Sequence, residues 1–254
     1  MFLNNIKQSR IILDIRNSFN IRPVLIKLPS DNESYSISDA FCWRNCKNFK
    51  TVFRYTDLMQ YFSDIKNLII KLVLCDHNNN ILITTDFKIE DLTGKIKIND
   101  IIDDKKNKSG HFFLFHELNP NNQEKFLLRN SCYTSYSFKN KVQSVVHGNL
   151  PALAKNQNFI FYKKNIIQVS YLKTYNYEVQ NNFEEYDKVE AFFFNPVNDV
   201  LKVNINELSF KLKPLSSKLI VLPKAKTYKV KSKCLYLRPI FFVYKDKVFD
   251  VFHG

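Results

Sequence analysis

From Leu68 to Gly254 the apolar residues come in short runs of strand length, broken by Asn, Asp, Gly or Pro, and no long amphipathic helical stretch interrupts them. This spacing constrains the fold more than any other feature. A parallel α/β sheet needs a crossover helix between successive strands, so antiparallel sheets are what remains. NLIIKLVLCDHNNNILITTDF reads as a hairpin whose polar turn spans residues 76–80. IKINDII (96–102), HFFLFHEL (111–118), FLLR (126–129), CYTSYSF (132–138), KVQSVVHG (141–148), NFIFYKK (158–164) and IIQVSYL (166–172) continue the series. VEAFFFNP (189–196), DVLKVNI (199–205), LSFKLKP (208–214), SKLIVLP (217–223), TYKVKSK (227–233), CLYLRPIFFVY (234–244) and KVFDVFH (247–253) complete it.

Before residue 66 the pattern is less regular. IILDI (11–15) and RPVLIKL (22–28) read as strands, and Thr56-Asp57 reads as the cap of a short helix running to about Ile65. The expected fold class is therefore all-β: antiparallel β-sandwich units, two in tandem, behind an irregular N-terminal region. The expected boundaries are 1–65 for that region, 66–175 for the first unit and 176–254 for the second. An echo supports the division: VVHG (145–148) and VFHG (251–254) each close a series of strands.

Composition enters through the turns. The chain holds 23 Phe and 13 Tyr but four Gly, so left-handed turn positions fall to Asn, as in Asn78-Asn79-Asn80. Gly94 and Gly110 read as turn residues. The net charge of +14 invites a polyanion partner, but Lys greatly outnumbers Arg and is spread along the whole chain. A nucleic-acid surface concentrates Arg with interleaved aromatics, so nucleic acid is disfavoured as a partner. Five cysteines (42, 46, 75, 132 and 234) lack metal-ligand spacing and read as free thiols of a reducing compartment. With no secretory leader and no run of membrane-spanning length, the expected location is cytoplasmic.

No glycine-rich phosphate loop, GxSxG elbow or HExxH helix occurs, and neither a metal nor a cofactor is expected. The candidate ligand-binding residues are Arg129, Tyr133, Tyr136, His147, Asn149 and His253. Arg offers a rigid donor fork, Tyr a stacking plane and His a proton carrier at neutral pH. Tyr133 and Tyr136 fall on opposite faces of a regular strand. Lys229, Lys231 and Lys233 alternate on one face and, with Arg238, form the basic-patch candidates. They fit either a polyanion or an edge strand guarded against pairing.

Three functions follow. The leading expectation is a non-catalytic binding or structural sandwich, recognising a carbohydrate or an anionic small molecule, or assembling with copies of itself. The alternatives are an enzyme of carbohydrate or cell-surface polymer metabolism using a His/Arg/Tyr site, and a nucleic-acid-binding protein acting through the basic C-terminal region.

Overall fold

The computed structural model describes residues 35–46, 48–57, 60–61, 69–102, 108–116, 127–129, 132–139, 143–147, 150–155, 160–161, 174–179, 182–196, 199–234, 237–246 and 248–254, together with 12 and 15. The strands are β1 (Tyr35–Arg44), β2 (Phe49–Thr56), β3 (Ile69–Cys75), β4 (Ile81–Lys88) and β5 (Thr93–Lys97). A one-turn helix, α1 (Ile98–Ile101), precedes β6 (Ser109–His116), β7 (Leu127–Arg129), β8 (Cys132–Phe138), β9 (Ser144–His147), β10 (Leu150–Lys155) and β11 (Ile160–Phe161). The remainder are β12 (Tyr175–Val179), β13 (Lys188–Phe194), β14 (Leu201–Ile205), β15 (Leu208–Leu212), β16 (Ser217–Leu222), β17 (Tyr228–Ser232), β18 (Ile240–Lys245) and β19 (Val248–His253).

The all-β expectation holds, but the grouping differs. Among the described residues the strands form four sheets, arranged as a four-bladed β-propeller and not as β-sandwich units in tandem. One sheet runs β11-β10-β1-β6-β3-β4, with β7 also on β1; the others run β5-β2-β8-β9, β16-β13-β18-β19 and β12-β17-β14-β15. Strand length and alternation specify hairpins, whereas the assignment of strands to sheets rests on contacts far apart in the chain. That is where the tandem-sandwich expectation fails. The blades are not simple meanders. The order β1-β6-β3-β4 recurs in β12-β17-β14-β15, and β2-β8-β9 recurs in β13-β18-β19. The echoing stretches become two edge strands side by side. Ser144 Oγ donates to Asp250 Oδ1 at 2.5 Å and accepts from the Val251 amide at 3.0 Å.

Among the described residues three apolar cores lie between the sheets. Phe41, Trp43, Leu72 and Leu114 from the seven-stranded sheet pack with Phe53 and Ile96 of the β5-β2 sheet. The opposite face, with Cys42, Val73, Phe113 and Phe115, packs on Phe192, Phe194, Ile240 and Phe242. Ala191, Phe193, Phe241 and Val243 then turn to Val203, Ile205, Tyr228 and Val230 of the last sheet. Strands β6 and β13 are therefore buried along both faces.

Several local expectations change. Ile98–Ile101 is helical where a strand is expected, because Asn99 turns inward: its Oδ1 accepts from the Thr51 amide at 2.6 Å and its Nδ2 donates to Asn45 Oδ1 at 2.6 Å. Ile12 and Ile15, expected in a strand, are helical. The strands expected at 22–28 and 166–172 lie outside the described residues. Asp57 does cap a turn: its carboxylate accepts from the Gln60 amide at 3.2 Å. Gly94 and Gly110 lie inside β5 and β6 and are not turn residues. A Cβ on Gly110 would strike the Cys75 carbonyl, which accepts the Trp43 indole N–H at 2.8 Å. The left-handed positions belong to Asn79 (φ 67°), Asn206 (φ 48°), Asp246, Lys139 and Leu215, so Asn does take the glycine role at two turns.

Candidate functional site

Among the described residues, His, Arg and Tyr side chains cluster in two places. The first is the seam between the seven-stranded sheet and the sheet of β13 and β16. Asp76 builds the β3–β4 turn by accepting the Asn78 and Asn80 amides, both at 2.8 Å. The turn sets His77 and Asn79 over the seam, where the Ser217 amide donates to the His77 carbonyl at 2.8 Å. His77 Nδ1 lies 2.9 Å from Ser217 Oγ and its Nε2 lies 2.8 Å from Ser109 Oγ. His111 Nδ1 lies 3.1 Å from the same Ser217 Oγ, and its Nε2 lies 2.9 Å from Asn79 Oδ1.

With both rings kept neutral by burial, the contacts fix one set of protons. Asn79 Oδ1 only accepts, so His111 Nε2 carries the hydrogen and its Nδ1 is bare. The Ser217 hydroxyl therefore donates to His111, and its oxygen takes the Nδ1 hydrogen of His77. His77 Nε2 is then bare and accepts from Ser109. Both rings are neutral. Burial pushes His111 down to about 3, helped by the neighbouring His77 and opposed by Asp76. Burial also lowers His77, against the opposing pull of Asp76.

Arg44 stands next in the seam, opposite Ser109 in the β1–β6 register. Its Nη1 donates to Glu190 Oε2 at 2.8 Å and to the Tyr244 hydroxyl at 3.0 Å, while Tyr244 donates to the same Glu190 oxygen at 2.7 Å. Lys188 Nζ completes the carboxylate at 2.7 Å on Oε1. The guanidinium stacks 3.9 Å from the Phe49 ring centroid and 4.6 Å from that of Phe242. Burial alone would raise the Glu190 carboxyl. Arg44 and the hydrogen bonds from Lys188, Tyr244 and Arg44 outweigh it and hold the group below its usual range.

The second cluster is open to solvent. A groove of about 630 Å³ is lined by Arg54, Tyr55 and Thr56 of β2, Thr93, Gly94 and Lys95 around β5, Lys88, Glu90 and Asp91 before it, and Tyr133 of β8. Gly94 leaves room for the Tyr55 ring, which an added Cβ would strike. Burial raises the Tyr55 phenol, and the negative charges of Asp57, Asp91 and Glu90 push it the same way. Register sets Arg54 opposite both Lys95 and Tyr133, and Tyr133 opposite His147. Arg54 Nη2 donates to Gln143 Oε1 at 3.0 Å, which steadies the fork at the groove wall.

Of the residues expected from the sequence, Tyr133 lines the groove at 45% exposure, and His147 holds the facing register position. Tyr136 points the other way as expected, fully buried, with its hydroxyl donating to the Cys42 carbonyl at 2.8 Å. Arg129 pairs with Ile37 in a different sheet, and His253 sits opposite Ile240 in a third. Asn149 lies outside the described residues. Lys229 and Lys231 belong to an interior strand, and Lys233 and Arg238 are exposed beyond it.

Arg44, Arg54, His77, Glu90, Asp91, Glu190 and Ser217 were not singled out by sequence. Only His77 carried a signal, as the one ring inside the DHNNN turn. Among the described residues no three His, Cys, Asp or Glu side chains group as metal ligands, and no helix is long and apolar enough to cross a membrane. No protein-family model, curated protein or solved structure matches this chain. The expected non-catalytic sandwich module falls with the sandwich itself. A propeller with a clustered His, Arg and Tyr polar network is consistent with a binding or catalytic site instead.

Proposed function

We propose that this protein is an enzyme of carbohydrate or cell-surface polymer metabolism, and that it takes an anionic sugar chain into the groove. The supporting observation is the groove, where three cations, two tyrosines and two carboxylates meet in one concavity. Arg54, Lys88 and Lys95 hold the carboxylate or phosphate of the substrate. Tyr133 offers its ring face to a sugar. The Tyr55 phenol, raised by burial and by the nearby acids, stays protonated as a hydrogen-bond donor. Glu90 and Asp91 are the acid and base candidates, because glycoside chemistry works through paired carboxylates. The buried free thiols Cys75 and Cys234, both pushed up to about 12 by burial, fit a reducing cytoplasmic setting.

Turnover of short uronic-acid oligosaccharides tests the reading. Tyr133→Ala and Arg54→Ala each lower kcat/KM at least about tenfold, and Glu90→Gln lowers kcat with KM little changed. Absence of turnover, or turnover indifferent to all three changes, refutes it.

A further inference from the structure

In the sequence the C-terminal lysines fit either a polyanion site or the guarding of an exposed sheet edge. The topology removes the second role. β17 lies between β12 and β14, so Lys229 and Lys231 project from the middle of a sheet. Alternation turns Tyr228, Val230 and Ser232 into the core and leaves the two lysines exposed. On β14 Lys202 is exposed and Asn204 half-buried, and on β15 Ser209 and Lys211 are exposed. Register then lines up Ser209, Asn204, Lys231 and Asn176 across all four strands and sets Lys202 directly opposite Lys211. Like charges at facing positions destabilise a sheet. Among these facing positions the one acid is Glu178, 3.5 Å from Lys229. A face shaped by folding alone gains nothing from that lysine pair, whereas a bound polyanion offsets its cost.

We infer that the outer face of this sheet docks an acidic polysaccharide. Lys202, Lys211, Lys229 and Lys231 hold its carboxylate or sulfate groups, and the amides of Asn176 and Asn204 hydrogen-bond its hydroxyls. The inference rests on the carbohydrate reading of the groove. These positions include no Arg and no outward aromatic ring, so the bidentate fork and stacking planes of a nucleic-acid surface are missing from them. Alternate side chains stand about 6.8 Å apart along a strand and rows about 4.8 Å apart across it, which spreads the charges over a flat platform suited to an extended chain.

Equilibrium binding of the full chain to polygalacturonate and to heparin, at low and high salt, tests it. The quadruple variant K202Q/K211Q/K229Q/K231Q weakens binding at least about tenfold and flattens its salt dependence. The control K50Q/K108Q/K139Q/K245Q removes the same charge from other exposed positions and changes affinity less than about twofold. Equal losses in the two variants overturn the inference, as does failure to bind either polymer. Duplex DNA displacing the polysaccharide at equal charge concentration overturns it in favour of nucleic acid. Oligosaccharide turnover separates the two sites: if turnover is absent while polymer binding still depends on the four lysines, the groove assignment fails and the docking face stands.

Discussion

Acidification should weaken this fold well above the pH at which carboxylates protonate, and His111 should account for a defined share of the loss. Its imidazole is fully buried and held at about 3, against an ordinary value of 6.5. The unfolded chain therefore takes a proton near pH 6.5 that the folded chain refuses. The His111 contribution is complete above pH 6.5 and is lost as pH falls toward 3. Between pH 7 and pH 5 linkage at one such site amounts to about 2 kcal/mol. His77, also lowered, adds in the same direction. Glu190 is held below its usual range by Arg44 and its hydrogen bonds, so its own protonation stays out of this window. Urea unfolding at the two pH values measures the loss. With a slope of about 2 kcal/mol/M the midpoint of the wild type drops by roughly 1 M or more. His111→Asn is the control, because its Oδ1 still accepts the Ser217 hydroxyl but cannot take up a proton. This variant starts less stable at pH 7, with Asn79 Oδ1 left unpaired, yet its pH dependence is shallower by about 2 kcal/mol. If wild type and His111→Asn lose stability in parallel, to within about 0.5 kcal/mol, the neutral hydrogen-bonded chain does not exist as described.

The buried ion pair makes a cycle. Glu190→Leu costs about 3–5 kcal/mol by leaving the Arg44 charge buried without its carboxylate, Arg44→Met costs less because Lys188 still pairs with Glu190, and the double variant recovers most of the larger loss in chemical denaturation. Tyr244→Phe removes one donor to Glu190 and one acceptor for Arg44, and should cost about 1–3 kcal/mol in the same assay. Gly110→Ala forces a methyl group against the Cys75 carbonyl and the Trp43 indole. A loss of at least about 2 kcal/mol, seen as a lowered Tm, is expected, and an unchanged Tm contradicts the close approach.

What the sequence disclosed was local. The hairpin of β3 and β4 was legible because apolar runs bracket a turn of Asp and Asn, and the opposite fates of Tyr133 and Tyr136 follow from alternation alone. The sheet grouping was not, since Arg44 meets Glu190 across 146 residues of chain and no local pattern encodes that partner. One signal was present and unused. HFFLFH and EAFFF do not alternate, and a strand apolar at every position is a strand covered on both faces. Those two runs marked the strands that neighbouring sheets cover on both faces. Of the candidate residues, Tyr133 reached the groove because it was the outward residue of an alternating strand. The seam residues that join the sheets, Arg44 with Glu190 and the two histidines with Ser217, have partners far along the chain.

The seam and the groove are also mechanically joined. The apolar faces that meet at the seam, Phe113 and Phe115 against Phe192, Phe194 and Phe242, attract without direction and would tolerate sliding. Directional pairs remove that freedom. Arg44 ties β1 to Glu190 on β13 and Tyr244 on β18, and the Ser109–His77–Ser217–His111–Asn79 chain ties β6 and the β3–β4 turn to β16. The groove sheet is locked to the same frame from its inner side. Phe49 packs on Phe242 and Phe249, Phe138 on Tyr244 and Phe249, and Tyr136 bonds the carbonyl of Cys42 in β1. β8 thus carries Tyr136 into the seam core on one face and Tyr133 into the groove on the other. A polar network that fixes how the sheets mate also fixes the wall on which a substrate would rest. Buried charge in an apolar core is costly unless fully paired, and holding that wall in one register is a function that repays the cost.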